Sequence, residues 1–197
     1  MRLLFLEKMK VFFDATYQGH QYFGDFYEEI YNEISNIGHT NLINDAVRMT
    51  EDMYKKELGD DRKRQNNYYS YKIENLKKAD ICVFDVSYHS LGIGYMIQRA
   101  LEEGKPTIAL FHKDNNPIFL EGIEDERFIL IPYDKKNLKD VLKKSLKKAS
   151  DLRDKRFNFF ITPNLLRYLN RVSRTDGVTK SVFIRNLIME HMRRNSA

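Results

Sequence analysis

Apolar residues in the first 150 positions recur with two different periods. Short runs rich in β-branched and aromatic residues occur at positions 10–15, about 41–44, 81–86, 107–111 and 128–132. Longer segments between these runs carry apolar residues at helical spacing, as Phe26, Ile30 and Ile34 do in the first of them. Because strands that alternate with helices form parallel sheets, the pattern predicts an α/β domain with helices on both faces of the sheet.

Two further segments belong to the same domain. Residues 138–152 place apolar side chains on one helical face and lysines on the other, which predicts a helix packed against the sheet. Residues 50–64 are highly charged and contain no clear strand. We expect them to form a long loop or an irregular helix beside the carboxyl edge of the sheet, either as a lid or as a solvated surface.

The periodicity changes at residue 156, where polar and apolar side chains begin to alternate. One face of this predicted strand carries Phe157, Phe159 and Ile161, and the other carries Arg156, Asn158 and Phe160. Two helices follow, one capped by Thr162 and the other by Thr179, with a break at Gly177 between them. Because a lone strand has no partner, two copies of the chain are expected to pair their strands in an antiparallel ribbon.

The distribution of charge also separates the two parts of the chain. Residues 1–149 carry 23 basic and 24 acidic side chains, a net charge of −1, whereas residues 150–197 carry 10 and 4, a net charge of +6. We therefore predict an α/β domain over residues 9–149, a linker over 150–155 and a small domain over 156–197. A basic surface on a small domain is typical of a module that binds a polyanion.

The order of strand, capped helix, glycine turn and capped helix resembles the ribbon-helix-helix family of DNA-binding proteins. The resemblance implies that the outward strand residues face base edges of double-stranded DNA: Arg156, Asn158 and Phe160. It also implies that the start of the second helix holds a phosphate: Thr179, Lys180 and Ser181. A unit of roughly 40 residues builds no stable core alone, so an obligate dimer or a higher oligomer is expected. Two alternatives stay open, dimerisation without DNA contact and docking of another protein.

A strand-to-helix turn in the larger domain carries the candidate ligand-binding residues. The strand at 81–86 contains Asp85, a polar loop with Ser87 and Ser90 follows, and Gly92 and Gly94 open a helix. Glycines permit a close approach of a ligand to the backbone, and the start of a helix attracts phosphate or carboxylate groups.

Three stretches of this domain together resemble the nucleoside 2-deoxyribosyltransferase superfamily, including its deoxynucleotide N-hydrolase branch. They are KVFFDATYQG from Lys10, the block A-D-strand-V-S-x-x-S-L-G-x-G-Y that ends at Tyr95, and R-A-x-x-x-x-K-P before the next apolar strand. The resemblance implies a flavodoxin-like parallel sheet and cleavage or exchange of an N-glycosidic bond without a metal.

The catalytic groups of that family are replaced in this chain. The family uses a nucleophilic Glu directly after G-x-G-Tyr, where this chain has Met96, and an Asp on the preceding helix, where it has Lys72. A thioether forms no glycosyl ester, so we expect the usual mechanism to be lost. Two alternatives stay open for Asp14 and Asp85, which lie near the carboxyl ends of strands. Either one of them takes over the catalytic role of the missing carboxylates, or both only hydrogen-bond to the backbone around them. The other residues suited to hold a nucleoside or nucleotide are Tyr17, Gly19, Ser87, Ser90, Gly92, Gly94 and Tyr95.

We therefore predict a homodimeric DNA-binding protein, a transcriptional regulator, whose larger domain is a catalytically silent nucleotide-binding or assembly module. The alternative is an N-glycosidase that acts on a nucleotide, a deoxynucleotide or NAD and is dimerised or tethered by the small domain. No metal and no cofactor are expected, because the five His residues lack paired metal-ligand spacing. The chain has a single cysteine, Cys82, and no apolar stretch near 20 residues. These two features predict a cytoplasmic protein outside the membrane. Met1 and Met9 both stay candidate start positions.

Overall fold

The computed structural model describes residues 8–153 and 160–195 of the 197-residue chain. The chain divides into two compact units, residues 1–154 and residues 155–197. In the described residues, the first unit contains a parallel sheet with helices, and the second contains a pair of helices.

The sheet of the first unit has five parallel strands in the order β2-β1-β3-β4-β5. The strands are β1 (Lys10–Ala15), β2 (Thr40–Asn41), β3 (Ile81–Asp85), β4 (Thr107–His112) and β5 (Phe128–Tyr133). The prediction of an α/β domain with a parallel sheet is confirmed, and this strand order is the one typical of flavodoxin-like folds. The order reverses between β1 and β3, which opens a crevice at their carboxyl ends.

The second predicted strand is shorter than its apolar run suggested. The Leu42 amide still donates a hydrogen bond to the Val11 carbonyl, but the chain then leaves the sheet. Asn44 already provides the carbonyl that accepts the first hydrogen bonds of the next helix, from Val47 and Arg48. Ile43 is buried outside the strand, so its apolar side chain packs in the core although the residue does not pair in the sheet.

Helices cover both faces of the sheet and supply the walls of the crevice. They are α1 (His20–Asn36), α2 (Asp45–Arg48), α3 (Glu51–Glu57), α4 (Arg62–Lys78), α5 (Leu91–Glu102), α6 (Ile118–Glu121) and α7 (Leu138–Asp151). The charged segment at 50–64 forms α3 and the beginning of α4. The Thr50 hydroxyl caps α3 and the Asp61 carboxylate caps α4, so the segment forms regular helices where a long loop or an irregular helix was expected.

Alternate residues of the buried strands pack on opposite faces of the sheet. Val11 and Phe13 belong to one apolar cluster, with residues of α1 and α7. Phe12 and Phe84 belong to the other, with residues of α4 and α5. Because both faces are covered, the central strands are apolar at nearly every position, as is usual for parallel sheets.

The second unit consists of α8 (Pro163–Thr175) and α9 (Lys180–Asn195) in its described residues. Thr162 caps α8, and Gly177 turns the chain with φ +66°. Apolar side chains on both helices are 38% to 60% exposed: Leu165, Leu166, Tyr168, Leu187, Ile188, Met189 and Met192. Of the predicted ribbon strand, residues 156–159 lie outside the described residues, and Phe160 and Ile161 are not in a strand. The ribbon therefore stays a prediction.

No helix among the described residues combines the length and the apolar character needed to span a bilayer.

Candidate functional site

A cavity of about 430 Å³ lies at the carboxyl ends of β1 and β3, where the strand order reverses. Its walls come from the loop after β1, from α2 to α4, and from the start of α5. Small-molecule sites in open parallel sheets occupy this position and have volumes of this order. We call this cavity the crevice pocket.

The floor of the crevice pocket contains a buried ion cluster. Lys72 Nζ lies 2.6 Å from Asp14 Oδ1 and 3.3 Å from Asp45 Oδ2, and all three residues are less than 10% exposed. Burial raises the pKa of Asp14, although the Lys72 ammonium acts in the opposite direction. The cluster therefore holds two carboxylates against one ammonium at the bottom of the pocket.

Two aromatic rings complete the surroundings of the Lys72 ammonium. Its Nζ lies 5.2 Å from the centre of the Tyr68 ring and 6.0 Å from that of Phe12. Burial and the neighbouring carboxylates, Asp14 first, raise the pKa of Tyr68, so its hydroxyl stays protonated. Contacts with the two rings stabilise the Lys72 ammonium in addition to its ion pairs with Asp14 and Asp45.

Both positions where the resemblance expects catalytic groups line the crevice pocket. Met96 lies on the second turn of α5 and is 7% exposed, and Lys72 lies on α4. The thioether of Met96 offers no negative charge to an anomeric carbon. Lys72 places an ammonium at the position where the resemblance implies an Asp. This ammonium neutralises neighbouring carboxylates and adds none of its own.

Tyrosine side chains surround the mouth of the crevice pocket. The rings of Tyr17 and Tyr54 stack with centroids 4.2 Å apart and an angle of 14° between planes. The hydroxyls of Tyr69 and Tyr95, which also line the pocket, are 2.7 Å apart and hydrogen-bonded. Flat aromatic faces at a pocket mouth suit a nucleobase or another planar ring.

The start of α5 forms the polar side of the crevice pocket. The Ser90 hydroxyl accepts a hydrogen bond of 3.3 Å from the Ile93 amide and so caps the helix. A side chain added at Gly92 would meet only Ser90 Oγ, at 3.7 Å, so the backbone there is open to a ligand. The positive end of the helix dipole favours an anionic group at this place.

Four of the sequence-predicted residues do not line the crevice pocket. Gly94 lines a neighbouring, mainly apolar cavity together with Phe119 of α6. Asp85 and Ser87 are buried and bind each other and Tyr133: Tyr133 Oη donates to Asp85 at 2.7 Å, and the Ser87 amide donates to Asp85 at 2.9 Å. Burial raises the pKa of Asp85 to about 6 although both hydrogen bonds lower it. This carboxyl group is hydrogen-bonded inside the domain and does not line the crevice pocket.

Gly19, the fourth, is required for packing. A Cβ atom at this position would meet the Tyr27 hydroxyl and would lie 2.7 Å from the Tyr88 Cβ. We expect Gly19→Ala to lower the free energy of unfolding by about 1 to 3 kcal/mol, measured by urea denaturation. Gly94→Ala is the matched control, because nothing lies within 4 Å of its added Cβ and alanine favours the helix. Equal losses in both variants would contradict this assignment.

The crevice pocket gathers Asp14, Tyr17, Ser90, Gly92 and Tyr95 from the predicted set. It also contains residues that sequence reasoning missed: Asp45, Tyr54 and Tyr68. Asp45 follows the short strand β2, and this position at the carboxyl edge was the available signal. Tyr54 occurs in a charged helical stretch that showed no sign of facing a ligand. Tyr68 belongs to the tyrosine-rich tract 66–71, whose two alternatives were a stacking surface for a base near the pocket and an aromatic helix face packed on the sheet.

The predicted DNA-contacting residues belong to the second unit. Arg156 and Asn158 lie outside the described residues, and Phe160 is fully exposed. The Thr179 hydroxyl accepts a 3.3 Å hydrogen bond from the Val182 amide and caps α9, whose first turn exposes Lys180 and Ser181. In residues 8–153 and 160–195, no group of three or more His, Cys, Asp or Glu side chains is arranged to hold a metal ion.

Comparison with known proteins bears on the first unit. No protein-family model matches the chain. A stretch of 64 residues is 41% identical to the Thermofilum pendens protein named "Putative 2'-deoxynucleoside 5'-phosphate N-hydrolase 1". The match covers 31% of this chain and 45% of that protein, so the chain spans less than half the length of the relative. It gives no support to the ribbon-helix-helix resemblance. It does support the resemblance of the first unit to the nucleoside deoxyribosyltransferase-like superfamily.

Proposed function

We propose that the first unit binds a nucleotide in the crevice pocket and does not cleave it through a covalent glycosyl-enzyme intermediate. The observation that carries this proposal is the pairing of Lys72 with Asp14 and Asp45, beside Met96 in the pocket wall. A carboxylate held by an ammonium is a weaker nucleophile, and a thioether is none. The pocket is open while the groups of the covalent mechanism are missing.

Four observations support a nucleotide as the ligand. The tyrosines at the mouth offer a stacking surface for a base, and the start of α5 offers backbone amides for a phosphate. The cavity of about 430 Å³ lies within the usual range for small-molecule sites. The similar Thermofilum pendens protein is named for a 2'-deoxynucleoside 5'-phosphate, which supports the same ligand class here.

Titration calorimetry of the whole chain with nucleoside 5'-monophosphates tests the proposal. We expect saturable binding, and we expect Tyr95→Ala to weaken it about tenfold or more because a stacking surface is lost. Tyr22→Ala is the matched control, since Tyr22 is exposed and lies outside the crevice pocket. Absence of binding for every monophosphate, in a chain shown to be folded by circular dichroism, would overturn the proposal.

The second candidate function is cleavage of the N-glycosidic bond, which the similarity to the N-hydrolase favours. Asp14 is the carboxylate that lines the pocket with a raised pKa, so it is the group placed to accept a proton from an attacking water. Chromatography of nucleotides, deoxynucleotides and NAD after incubation with the protein separates the candidates. Cleavage would be favoured over binding alone if the unaltered chain releases free base, Asp14→Asn does not, and Asp25→Asn, a change at an exposed position, still does.

For the second unit we propose dimerisation and binding to double-stranded DNA. Its apolar side chains are too exposed for a stable isolated helix pair, and a second copy would cover them. Residues 160–195 carry seven basic and two acidic side chains, a net charge of +5, which suits a polyanion.

Sedimentation and duplex binding test this second proposal. We expect a dimer, and DNA affinity that falls steeply as salt concentration rises because counterions are released on binding. The double variant Arg156→Ala, Asn158→Ala should weaken binding, whereas Lys78→Ala in the first unit should not. A monomeric chain that binds no duplex at low salt would contradict both parts.

A further inference from the structure

A second cavity, of about 590 Å³, lies next to the crevice pocket along the start of α5. Its walls come from the loop after β3, from α5 and from the segment that contains α6. Ser90, Ile93 and Tyr95 line both this cavity and the crevice pocket, so the two spaces adjoin. We call the second space the α6 cavity.

The backbone of α5 is bare toward both spaces. Gly92 lines the crevice pocket, and Gly94 lines the α6 cavity. An added Cβ at Gly94 would meet no atom within 4 Å outside the helix backbone, and one at Gly92 would meet only Ser90 Oγ, at 3.7 Å. A ligand can therefore approach the first turns of α5 from either space, where the positive end of the helix favours a phosphate.

The lining of the α6 cavity suits a planar ring. Tyr88, Tyr95 and Phe119 supply aromatic faces, and His89 and Asn116 supply polar groups that can meet the edge of a base. None of the described residues in this lining is acidic, in contrast to the carboxylates on the floor of the crevice pocket. A phosphate is therefore repelled less on the side of the α6 cavity.

Large apolar side chains at the rim of the α6 cavity are exposed to solvent. Phe119 is 98% exposed, Leu91 is 93% exposed and Ile118 is 73% exposed. Adjoining exposed apolar side chains mark a surface that binds a partner or a ligand. Because Tyr95 belongs to both linings, this surface continues the stacking surface at the mouth of the crevice pocket.

We propose that the two spaces together bind two nucleosides linked through phosphate. The nucleotide in the crevice pocket carries a second nucleoside on its 5'-phosphate, and the second base lies in the α6 cavity against Phe119. The linking phosphate lies at the start of α5, between the two spaces. Two kinds of ligand share this chemistry: a dinucleotide joined by pyrophosphate, such as NAD, and two linked deoxynucleotides, such as d(ApA). The extended site rests on the proposed nucleotide-binding function and adds the α6 cavity to it, with no preference between ribose and deoxyribose.

Titration calorimetry of the unaltered chain with two sets of matched ligands tests the extended site. One set contains NAD, ADP-ribose, which lacks the second base, and AMP. The other contains d(ApA) and dAMP. In at least one set we expect the ligand with two bases to bind about tenfold more tightly than the ligands with one, because stacking of the second base is added. The set that shows the gain identifies the kind of linkage.

Substitutions at Phe119 locate the second base. Phe119→Ala should abolish the tenfold gain and leave the affinity for AMP and dAMP unchanged, since this side chain lines only the α6 cavity. Phe119→Tyr is the matched control, because it keeps an aromatic ring and should keep the gain. Both changes are at an exposed position and should leave the fold intact.

The possible results separate the extended site from the function on which it rests. If mononucleotides bind but neither NAD nor d(ApA) binds more tightly, the extended site is overturned and nucleotide binding in the crevice pocket stands. If no nucleotide binds, both proposals are overturned. A Phe119→Ala chain that keeps the gain but sediments as a smaller species would also overturn the extended site, since the exposed surface would then be a contact between chains.

Discussion

Replacing Lys72 by methionine is expected to lower the free energy of unfolding by about 3 to 5 kcal/mol at neutral pH. The change removes the ammonium that Asp14 and Asp45 share and leaves two neighbouring carboxylates buried without it. Desolvation and mutual repulsion then act together against the folded state. Urea denaturation of the purified variant measures the loss.

The pH dependence of this loss identifies its cause. Burial already raises the pKa of Asp14, and removal of the ammonium, which lowers it, raises the pKa further. Protonation of this carboxyl should therefore restore part of the stability as pH falls, so the deficit is smaller at pH 5 than at pH 7.

Two further variants control the Lys72 experiment. Lys78→Met alters an exposed lysine on the same helix and should change stability by less than about 0.5 kcal/mol. The triple variant with Lys72→Met, Asp14→Asn and Asp45→Asn should recover most of the loss, because no buried charge remains. Equal effects of Lys72→Met and Lys78→Met would refute the ion cluster as a source of stability.

The second large effect concerns Asp85, for which burial raises the pKa from 3.8 to about 6 in the folded protein. Between these two values the folded state holds a proton that the unfolded state has lost, so stability falls as pH rises from about 4 to about 6. A shift of this size corresponds to about 3 kcal/mol once the pH is above both values.

The Asp85 contribution is measured as a difference between variants, because other carboxyls titrate in the same range. Urea denaturation from pH 4 to pH 7 should show a fall in stability that is about 3 kcal/mol smaller in Asp85→Asn. Tyr133→Phe removes a hydrogen bond that lowers the pKa of Asp85, and it should extend the fall to higher pH. Parallel profiles for the unaltered chain and Asp85→Asn would show that Asp85 does not titrate in this window.

The strands could be predicted from the sequence because both faces of the sheet are buried. Runs such as 81–84 and 108–111 are continuously apolar, and such runs have few other stable placements. The run at 41–44 was misleading, since Ile43 packs outside the sheet. The helices at 50–64 were also missed as regular elements. Their stability comes from the caps at Thr50 and Asp61 and from contacts such as the Arg48–Glu57 ion pair, which apolar periodicity does not report.

The site could be predicted only in part. Strand ends and the glycine-opened helix pointed to Asp14, Ser90 and Gly92, because carboxyl edges of parallel strands meet in one crevice. The sequence did not distinguish Asp14 from Asp85, since both are acidic residues at strand ends. Asp14 lines the pocket and Asp85 binds Tyr133 inside the domain, a difference that depends on the side chains packed around each.

Local pattern determined the class of the first unit, its parallel sheet, the capped helices of the second unit and the replacement of the family nucleophile by Met96. These properties depend on residues close together in the chain, where periodicity and capping act directly. Tertiary structure alone decided that Lys72 holds Asp14 and Asp45 together, although 58 positions separate Lys72 from Asp14. Contacts between distant residues depend on how helices and strands pack. A buried ion pair between such residues produces no periodic pattern in the sequence from which it could be predicted.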